Sequence, residues 1–270
     1  MAQNAPSATP KTVSPPPFVT SNTDFIPVPV LEKRLGQFQG TNLDRESRLR
    51  TIFSQAGCSK TNLTTVGIGR DQPPDVVCRL PGISPSEIIV GGHFDYVSRG
   101  QGVVDDWSGA SLLPTLFQSF SKTPPRHTFL FIGFSNEEKG LIGSRYYVSH
   151  LSWKQQSRIR AMVNLECLGL NVAEVWAHHA NPLLLRKLFL TARTLGFTLP
   201  IVNVERVGTD DAESFRRRHL PTITIHSLTQ KTLGIIHSRK DQMSAINMGY
   251  YNENYRLVAA YLMVLDQTMN

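Results

Sequence analysis

The chain has 270 residues, of which 40% are hydrophobic and 18% are charged, as expected for one large globular domain. No apolar run approaches the roughly 18 residues that span a bilayer, so we expect no membrane span. The formal net charge is +7, but the basic residues are scattered along the chain. The one dense run, Arg216 to Arg218, lies in a predicted helix, and we therefore expect no nucleic-acid partner.

The chain begins with a segment of biased composition. Residues 1–23 are rich in Pro, Ser, Thr and Ala, which cannot form a packed core on their own. We expect a flexible Pro-rich arm over residues 1–23 and a single catalytic domain over residues 24–270. The arm lacks the basic start and apolar stretch of a secretory signal. Either the protein stays inside the cell, or its signal was removed from this chain.

Strands and helices are predicted to alternate along the rest of the chain. Continuous apolar runs indicate strands that are covered on both faces, and their alternation with helices predicts a three-layer α/β/α domain. The predicted strands lie near residues 63–68 and 75–80 and at EIIVGGH, HTFLFIGFS, AMVNLECLG, EVWAH and PTITIHS. The predicted helices cover residues 42–56, 108–121, 140–159, 181–196, 212–219 and 249–268.

Three cysteines bear on the compartment of the protein. Cys58 and Cys78 flank two short predicted strands and could close a loop, whereas Cys167 lies inside a hydrophobic strand. A Cys58–Cys78 disulfide would imply an oxidising compartment, but two ordinary buried thiols explain the spacing equally well. We expect a secreted or periplasmic protein rather than a cytoplasmic one.

Five short stretches carry acidic or histidine side chains, and four of them begin where an apolar strand stops. In α/β folds, binding sites form beyond the carboxyl ends of the strands. The stretches are GGHFDY with His93 and Asp95, VVDDWSGAS with Asp105 and Asp106, SNEEKG with Glu137 and Glu138, VNLECLG with Glu166, and IIHSRKD with His237 and Asp241.

Each stretch also has an ordinary interpretation. A single histidine at a strand end is usually a hydrogen-bonded core residue, and paired acids at a helix start are commonly caps. Glu137 and Glu138 could be solvated in a loop, although adjacent carboxylates at the end of a buried strand need water, a cation or a metal ion. Glu166 is the hardest to explain in this way, since a carboxylate in an apolar run is rarely buried without a partner.

Taken in order, the five stretches resemble the motifs of the two-zinc aminopeptidases. These zinc exopeptidases of the leucine aminopeptidase type are related to the animal glutaminyl cyclases. The series is H-x-D, D-D-x-S-G, E-E, an acid after N-L and a late histidine, and the stretches GSRYY and DDAESFRRRHLPTITI strengthen it. The resemblance covers roughly residues 40–268 and implies an α/β/α sandwich with a mixed, mostly parallel central sheet.

The resemblance implies a metal ligand at each of five positions. Asp105 would bridge two zinc ions, with one oxygen on each. His93 and Glu166 would complete the first ion, and Glu138 and His237 the second. Imidazole and carboxylate groups are ligands that suit zinc. A single ion would be expected if the protein were a cyclase.

The resemblance also implies the reaction. Glu137 would be the general base toward a hydroxide that bridges the ions, and Asp95 would accept the second ring N–H of His93. The substrate would be a peptide with a free N-terminus, and the enzyme an aminopeptidase, expected as a monomer. The alternative is a glutaminyl cyclase, which DDAESFRRRHLP favours and DDWSG does not. A binding module without activity is disfavoured because every ligand type and the base are present.

Three positions depart from the usual family pattern. Glu166 stands where Asp is more common, and Ala212 stands where His is usual. Asp211, which precedes Ala212, remains a candidate for contacts with the substrate or with a ligand. Trp107 replaces a small residue, and the sequence leaves open whether it lines the pocket or is a packed aromatic.

Overall fold

The computed structural model describes residues 25–70, 72–204 and 208–270. The predicted arm over residues 1–23 lies outside the described residues. The remaining chain forms one sheet with helices on both faces. Across the described residues, no helix is long and apolar enough to cross a membrane.

Seven strands form a mixed sheet in the order β1-β2-β4-β3-β5-β7-β6. The four neighbours β4, β3, β5 and β7 are parallel, while β1 pairs with β2, β2 with β4 and β6 with β7 in the antiparallel sense. The strands are β1 (Leu63–Val66), β2 (Asp75–Leu80), β3 (Ser84–His93), β4 (His127–Phe134), β5 (Ile159–Glu166), β6 (Glu174–Val175) and β7 (Thr222–His226).

Eight α-helices surround the sheet in the described part of the chain. They are α1 (Val28–Leu35), α2 (Asn42–Gln55), α3 (Ser108–Phe120), α4 (Ile142–Ser149), α5 (Trp153–Gln156), α6 (Pro182–Leu195), α7 (Ala212–Arg216) and α8 (Met248–Thr268). Single irregular turns cover Val103–Trp107, Ala177–His179 and Met243–Ala245.

Alternate side chains of the central strands bury themselves on opposite faces of the sheet. In β4, Phe129 and Phe131 pack with α1, α2, α3, α6 and α8, whereas Leu130 and Ile132 pack with α4 and α7. Both faces of the strand are thus apolar, which explains the unbroken hydrophobic run in its sequence. The predicted three-layer architecture is confirmed.

Three predicted elements are wrong in extent, one of which is the helix predicted over residues 212–219, since it ends at Arg216. The helix predicted over residues 140–159 ends at Ser149, because Ser152 caps a separate short helix, α5, through a reciprocal pair of hydrogen bonds with Gln155. The strand predicted at EVWAH contains only Glu174 and Val175, since a helical turn begins at Ala177.

The cysteine pairing that the sequence left open is present in the structure. Cys58 and Cys78 form a disulfide that ties the end of α2 to β2, with their Cα atoms 6.4 Å apart. Cys167 is buried and free.

Candidate active site

The carboxyl ends of β4, β3 and β5 meet at one edge of the sheet. His93 is the last residue of β3 and is paired with Phe134 of β4, three residues before Glu137. On the other side, Gly91 of β3 is paired with Asn164 of β5, so that Glu166 lies beside His93. The strand order thus places the histidine between the two acidic stretches, although they are distant in sequence.

Asp105 lies between two imidazole rings. Its Oδ1 is 3.2 Å from Nε2 of His93, and its Oδ2 is 3.0 Å from Nε2 of His237. The turn Val103–Trp107 carries Asp105 over the end of β3, and the peptide bond between Asp105 and Asp106 is cis. His237 reaches the site from the loop before α8, with half of its side chain exposed.

Two further carboxylates complete two groups of donors around Asp105. Oε1 of Glu166 is 3.5 Å from Nε2 of His93, and Oε2 of Glu138 is 2.9 Å from Nε2 of His237. Within each group the donor atoms lie within 4.8 Å of one another. The structure therefore brings together all five side chains for which the sequence predicts a metal-binding role.

These donors fit a pair of metal ions better than they fit one another. Donors placed tetrahedrally at 2.0–2.2 Å from zinc are about 3.4 Å apart, close to the separations seen here. The carboxylates outnumber the imidazoles, and Oε1 of Glu138 is buried with no hydrogen-bond partner in the part of the chain that the structure describes. Such a surplus of buried acceptors is stabilised by a cation.

Burial and mutual repulsion perturb the acidic groups of the site. Burial raises the pKa of Glu137 well above its ordinary value, and the charges of Asp211 and Glu166 add to this effect against the opposing charge of His93. Burial, with repulsion from Asp105, also raises the pKa of Glu138 to about 7. A divalent cation nearby would lower the pKa of both carboxyls.

Asp95 takes a different place from the one predicted. The ring Nδ1 of His93 lies 3.1 Å from the main-chain carbonyl of Asp95 and 3.5 Å from its carboxylate, so the carbonyl is the better-placed acceptor. The Asp95 carboxylate instead accepts the backbone N–H groups of Glu137 and Glu138, at 3.0 and 3.2 Å. Asp95 therefore orients both the histidine and the paired glutamates.

Asp106, to which the family resemblance assigned no role, connects three segments of the site. Its buried carboxylate accepts the backbone N–H groups of His93, Gly109 and Cys167 at 3.2, 3.0 and 2.9 Å, and the hydroxyl of Ser108 at 3.3 Å. The only sequence signal was the adjacent pair of acids, of which just one can point to a metal.

The turn that carries Asp105 is fixed from both sides. The Asp241 carboxylate accepts the backbone N–H groups of Val103 and Val104 at 2.8 and 2.7 Å. The buried guanidinium of Arg45 donates to the carbonyls of residues 38, 94, 101 and 102. Arg45 was not identified from the sequence, although it falls on the same helical face as Leu49 and Ile52.

The two weaker candidates lie behind the site. Trp107 is fully buried, and its Nε1 donates to the carbonyl of Arg34 at 3.3 Å, so it does not line the pocket and is a packed aromatic. Asp211 is also fully buried, and neither of its oxygens has a hydrogen-bond partner among the described residues. The charge of Asp211 nevertheless contributes to the raised pKa of Glu137.

A cavity of about 250 Å³ opens over the donor groups. Its floor is formed by Asp105, Glu137, Glu138, Glu166 and His237. Much of its remaining wall is apolar and consists of Leu141, Trp176, Val204, Leu228 and Ile236. The cavity thus joins a charged floor to an apolar side wall. Phe134 and Phe215 do not line the cavity; they are core residues that pack against each other.

The profile of Peptidase family M28 matches residues 75–262, well over half of the chain. The chain belongs to peptidase family M28. The matched residues run from the first residue of β2 into α8 and include all five metal-ligand candidates. The sequence resemblance to zinc exopeptidases is therefore confirmed.

Individual relatives of this M28 protein are more distant. Aminopeptidase YwaD of Bacillus subtilis is 27% identical over 167 residues, which are 62% of this chain and 34% of that protein. The chain thus spans about a third of the length of this curated relative.

Two solved structures show the same fold. The LapA aminopeptidase of Legionella pneumophila aligns with a TM-score of 0.78 and 21% identity, over 91% of this chain and 73% of that one. A glutaminyl cyclase from an Acidobacteriales bacterium aligns with a TM-score of 0.73 and 18% identity, over 98% of this chain and 99% of that one.

Proposed function

We propose that this M28 protein is a zinc-dependent aminopeptidase that binds two zinc ions and removes the N-terminal residue of peptides. The observation that carries the proposal is the position of Asp105, which presents one carboxylate oxygen to each of two imidazoles. One ion would be held by His93, Asp105 and Glu166, and the other by Asp105, Glu138 and His237. Zinc bound there would polarise the scissile carbonyl and lower the pKa of an attacking water.

Glu137 is the proposed general base. Its Oε2 is 3.9 Å from Nε2 of His93, beyond hydrogen-bonding distance, so the carboxylate remains available on the cavity floor. Two backbone contacts to Asp95 fix the segment that carries it. Glu137 would accept a proton from the attacking water and pass it to the leaving amine, while the neighbouring acids attract the substrate's α-ammonium group.

The proposed substrates have an apolar N-terminal residue. The side wall of the cavity offers indole, isopropyl and sec-butyl groups from Trp176, Val204 and Ile236. His226 also faces the cavity, but burial lowers the pKa of its ring to about 4, and both ring nitrogens are engaged with the backbone. Its uncharged ring adds no cation that would favour an acidic side chain.

Metal analysis combined with turnover of aminoacyl p-nitroanilides tests the proposal. We expect two zinc ions per chain, loss of activity on exhaustive chelation, recovery on adding zinc, and preference for Leu or Phe over Asp substrates. His93→Ala should lose the ion shared with Glu166 more readily than the other, while the exposed control His150→Ala should retain both. A fully active protein after chelation would rule the proposal out.

The second candidate is glutaminyl cyclisation. It is favoured by the alignment of almost the whole chain with almost the whole of a glutaminyl cyclase, whereas the alignment with LapA covers 73% of that protein. One tightly bound zinc ion per chain, with cyclisation of an N-terminal glutaminyl peptide and no release of apolar residues, would replace the first proposal by this one.

We also propose that the protein is a monomer in a secreted or periplasmic compartment. The Cys58–Cys78 disulfide supports such a location, since disulfides persist in oxidising compartments. Light scattering of the purified protein and fractionation of the source cells test the two statements. A dimeric mass, or recovery of the protein in the cytosol with free thiols, would contradict them.

A further inference from the structure

A second cavity, with basic walls, lies beside the active-site cavity. It has a volume of about 290 Å³ and is lined by Arg145, Val148 and Ser149 of α4 and by Ser214, Arg217 and Arg218 at α7 and the turn after it. We call it the arginine cavity. Arg145 also lines the active-site cavity, so the two cavities meet at one side chain.

The positive charge of the arginine cavity is only partly compensated. Glu213 forms ion pairs with Arg217, at 2.7 Å, and with Arg216 outside the cavity. Arg145 and Arg218 have no carboxylate within 4.0 Å among the residues that the structure describes. Guanidinium groups that line one cavity repel each other, and an anion between them relieves this repulsion.

The two elements that carry these arginines are held together. The hydroxyls of Ser144 and Ser214 are buried and 2.8 Å apart, which links the start of α4 to α7. Phe215 of α7 packs against Phe134 and Tyr147. The arginine side chains are exposed, but the backbone that presents them is fixed. The packing of α4 against α7 therefore holds the two walls of the cavity together.

We infer that the arginine cavity binds the C-terminal carboxylate of a short peptide substrate. The inference rests on the proposed aminopeptidase function. A free peptide carries an ammonium group at one end and a carboxylate at the other, and the two cavities offer carboxylates and guanidinium groups in matching order. Each residue spans at most about 3.6 Å, so the C-terminus of a peptide of two or three residues reaches no farther than an adjoining cavity, whereas that of a longer peptide can extend past it. Charge-assisted guanidinium–carboxylate hydrogen bonds would then favour short peptides over long ones.

The test compares Leu-Ala-Ala with its C-terminal amide. For the native protein we expect a KM about five- to tenfold lower for the free acid, as two exposed ion pairs would give, and a smaller difference at high salt. A hexapeptide of Leu followed by Ala residues should have the same KM as its C-terminal amide. Leu-Asp-amide carries a side-chain carboxylate but no C-terminal one. Its KM should therefore resemble that of the tripeptide amide and not that of the free acid.

Arg218→Gln is the informative variant, since Arg218 lines only the arginine cavity. It should reduce the difference between acid and amide to about twofold or less and leave turnover of neutral Leu p-nitroanilide unchanged. The matched control is Arg186→Gln, which removes an equal charge from the exposed face of α6. Equal KM values for the two tripeptides in the native protein would overturn the inference, as would a difference that survives Arg218→Gln or is lost in Arg186→Gln.

A binding measurement keeps this inference distinct from the proposed activity. Calorimetric titration of the zinc-loaded Glu137→Gln protein with the two tripeptides compares their affinities without turnover, and Arg218→Gln in that background should equalise them. Preferential binding of the acid without cleavage by the native protein would contradict only the proposed activity. Cleavage without that preference would contradict only the arginine cavity.

Discussion

Glu137 and Glu138 are adjacent carboxylates with different surroundings. Glu138 contacts His237, whereas Glu137 lies on the cavity floor with no hydrogen bond to either imidazole. We predict that Glu137→Gln retains its zinc and loses activity by at least about 10²-fold, the usual scale for a general base. Zinc content and kcat are measured on the same preparation. Glu32→Gln, at an exposed position of α1, is the control, and unchanged turnover in Glu137→Gln would remove Glu137 from its role.

Asp106 illustrates how one buried carboxylate can hold a site together without binding substrate. In Asp106→Ala, the backbone N–H groups of His93, Gly109 and Cys167 lose this acceptor, whereas the Ser108 hydroxyl keeps the carbonyl of Val104 at 2.7 Å. We predict a loss of about 3 kcal/mol or more in the free energy of unfolding, measured with a chelator present, and weaker zinc binding. The comparison is Asp44→Ala, which removes the exposed carboxylate that accepts the N–H of Thr41 in the capping box of α2, and about 1 kcal/mol is expected. Similar losses in the two variants would contradict this account of Asp106.

At the scale of single residues, the sequence predicted correctly which side chains come together. It was less informative about the atoms that each side chain contacts. His93, Glu138 and Glu166 each follow an apolar run, and the parallel arrangement of the strands then brings them to one edge. Asp95 was assigned the wrong acceptor atom because the sequence does not distinguish a carbonyl from a carboxylate two residues from a histidine. The long-range contacts of Arg45 depend on loops whose course the sequence does not give.

At the scale of elements, Gly109 of α3 lies directly against the backbone of β5. A Cβ atom at this position would lie 2.4 Å from Oδ2 of Asp106 and 2.8 Å from the carbonyl oxygen of Leu165. Gly109→Ala should therefore displace α3 or the Asp106 carboxylate, lower the melting temperature by several degrees and weaken zinc binding. Gly67→Ala, where a Cβ would meet no atom within 4 Å, should leave both unchanged. A Gly109→Ala protein with native zinc affinity would show that the helix tolerates this displacement.

Elements with a strong hydrophobic pattern were predicted well, and elements defined by local hydrogen bonds were not. The unbroken apolar runs of β3, β4 and β5 identified buried strands, and the helices α2, α6 and α8 agree with prediction to within one residue at each end. The end of α4 was missed because Ser152 and Gln155 form a new cap that competes with continuation of the helix. Such competition depends on side-chain geometry rather than on periodicity.

Over the whole molecule, charge is divided unevenly. The chain is basic overall, yet its central site gathers four carboxylates around two histidines, and a basic cavity lies next to it. Net charge therefore says little about the ligand of this protein, whereas the position of each charge relative to the sheet edge is informative. The three-layer packing also buries carboxyl groups that contact no proposed ligand. These groups determine how the free energy of unfolding depends on pH.

Asp75 is the clearest of these groups. Its Oδ1 accepts the N–H and hydroxyl of Ser135 at 2.8 and 3.0 Å, while its Oδ2 is buried and has no hydrogen-bond partner within residues 25–70, 72–204 and 208–270. Burial raises the pKa of Asp75 from 3.8 to about 7. Between these values the folded protein binds more protons than the unfolded chain, so this carboxyl lowers the free energy of unfolding progressively as the pH rises from about 4 to about 7.

Asp75→Asn removes this ionisation and keeps an acceptor for Ser135. We compare the free energy of unfolding of the variant with that of the native protein at each pH. The difference in favour of the variant should be about 2–3 kcal/mol larger at pH 8 than at pH 5. Chemical denaturation at both pH values, with a chelator present, measures the change. Glu32→Gln neutralises an exposed carboxylate instead and should follow the native protein at both values. If the native and Asp75→Asn proteins keep the same difference at pH 5 and pH 8, Asp75 does not titrate in this range, and the pH dependence of folding must come from other buried acids such as Asp210 and Glu174.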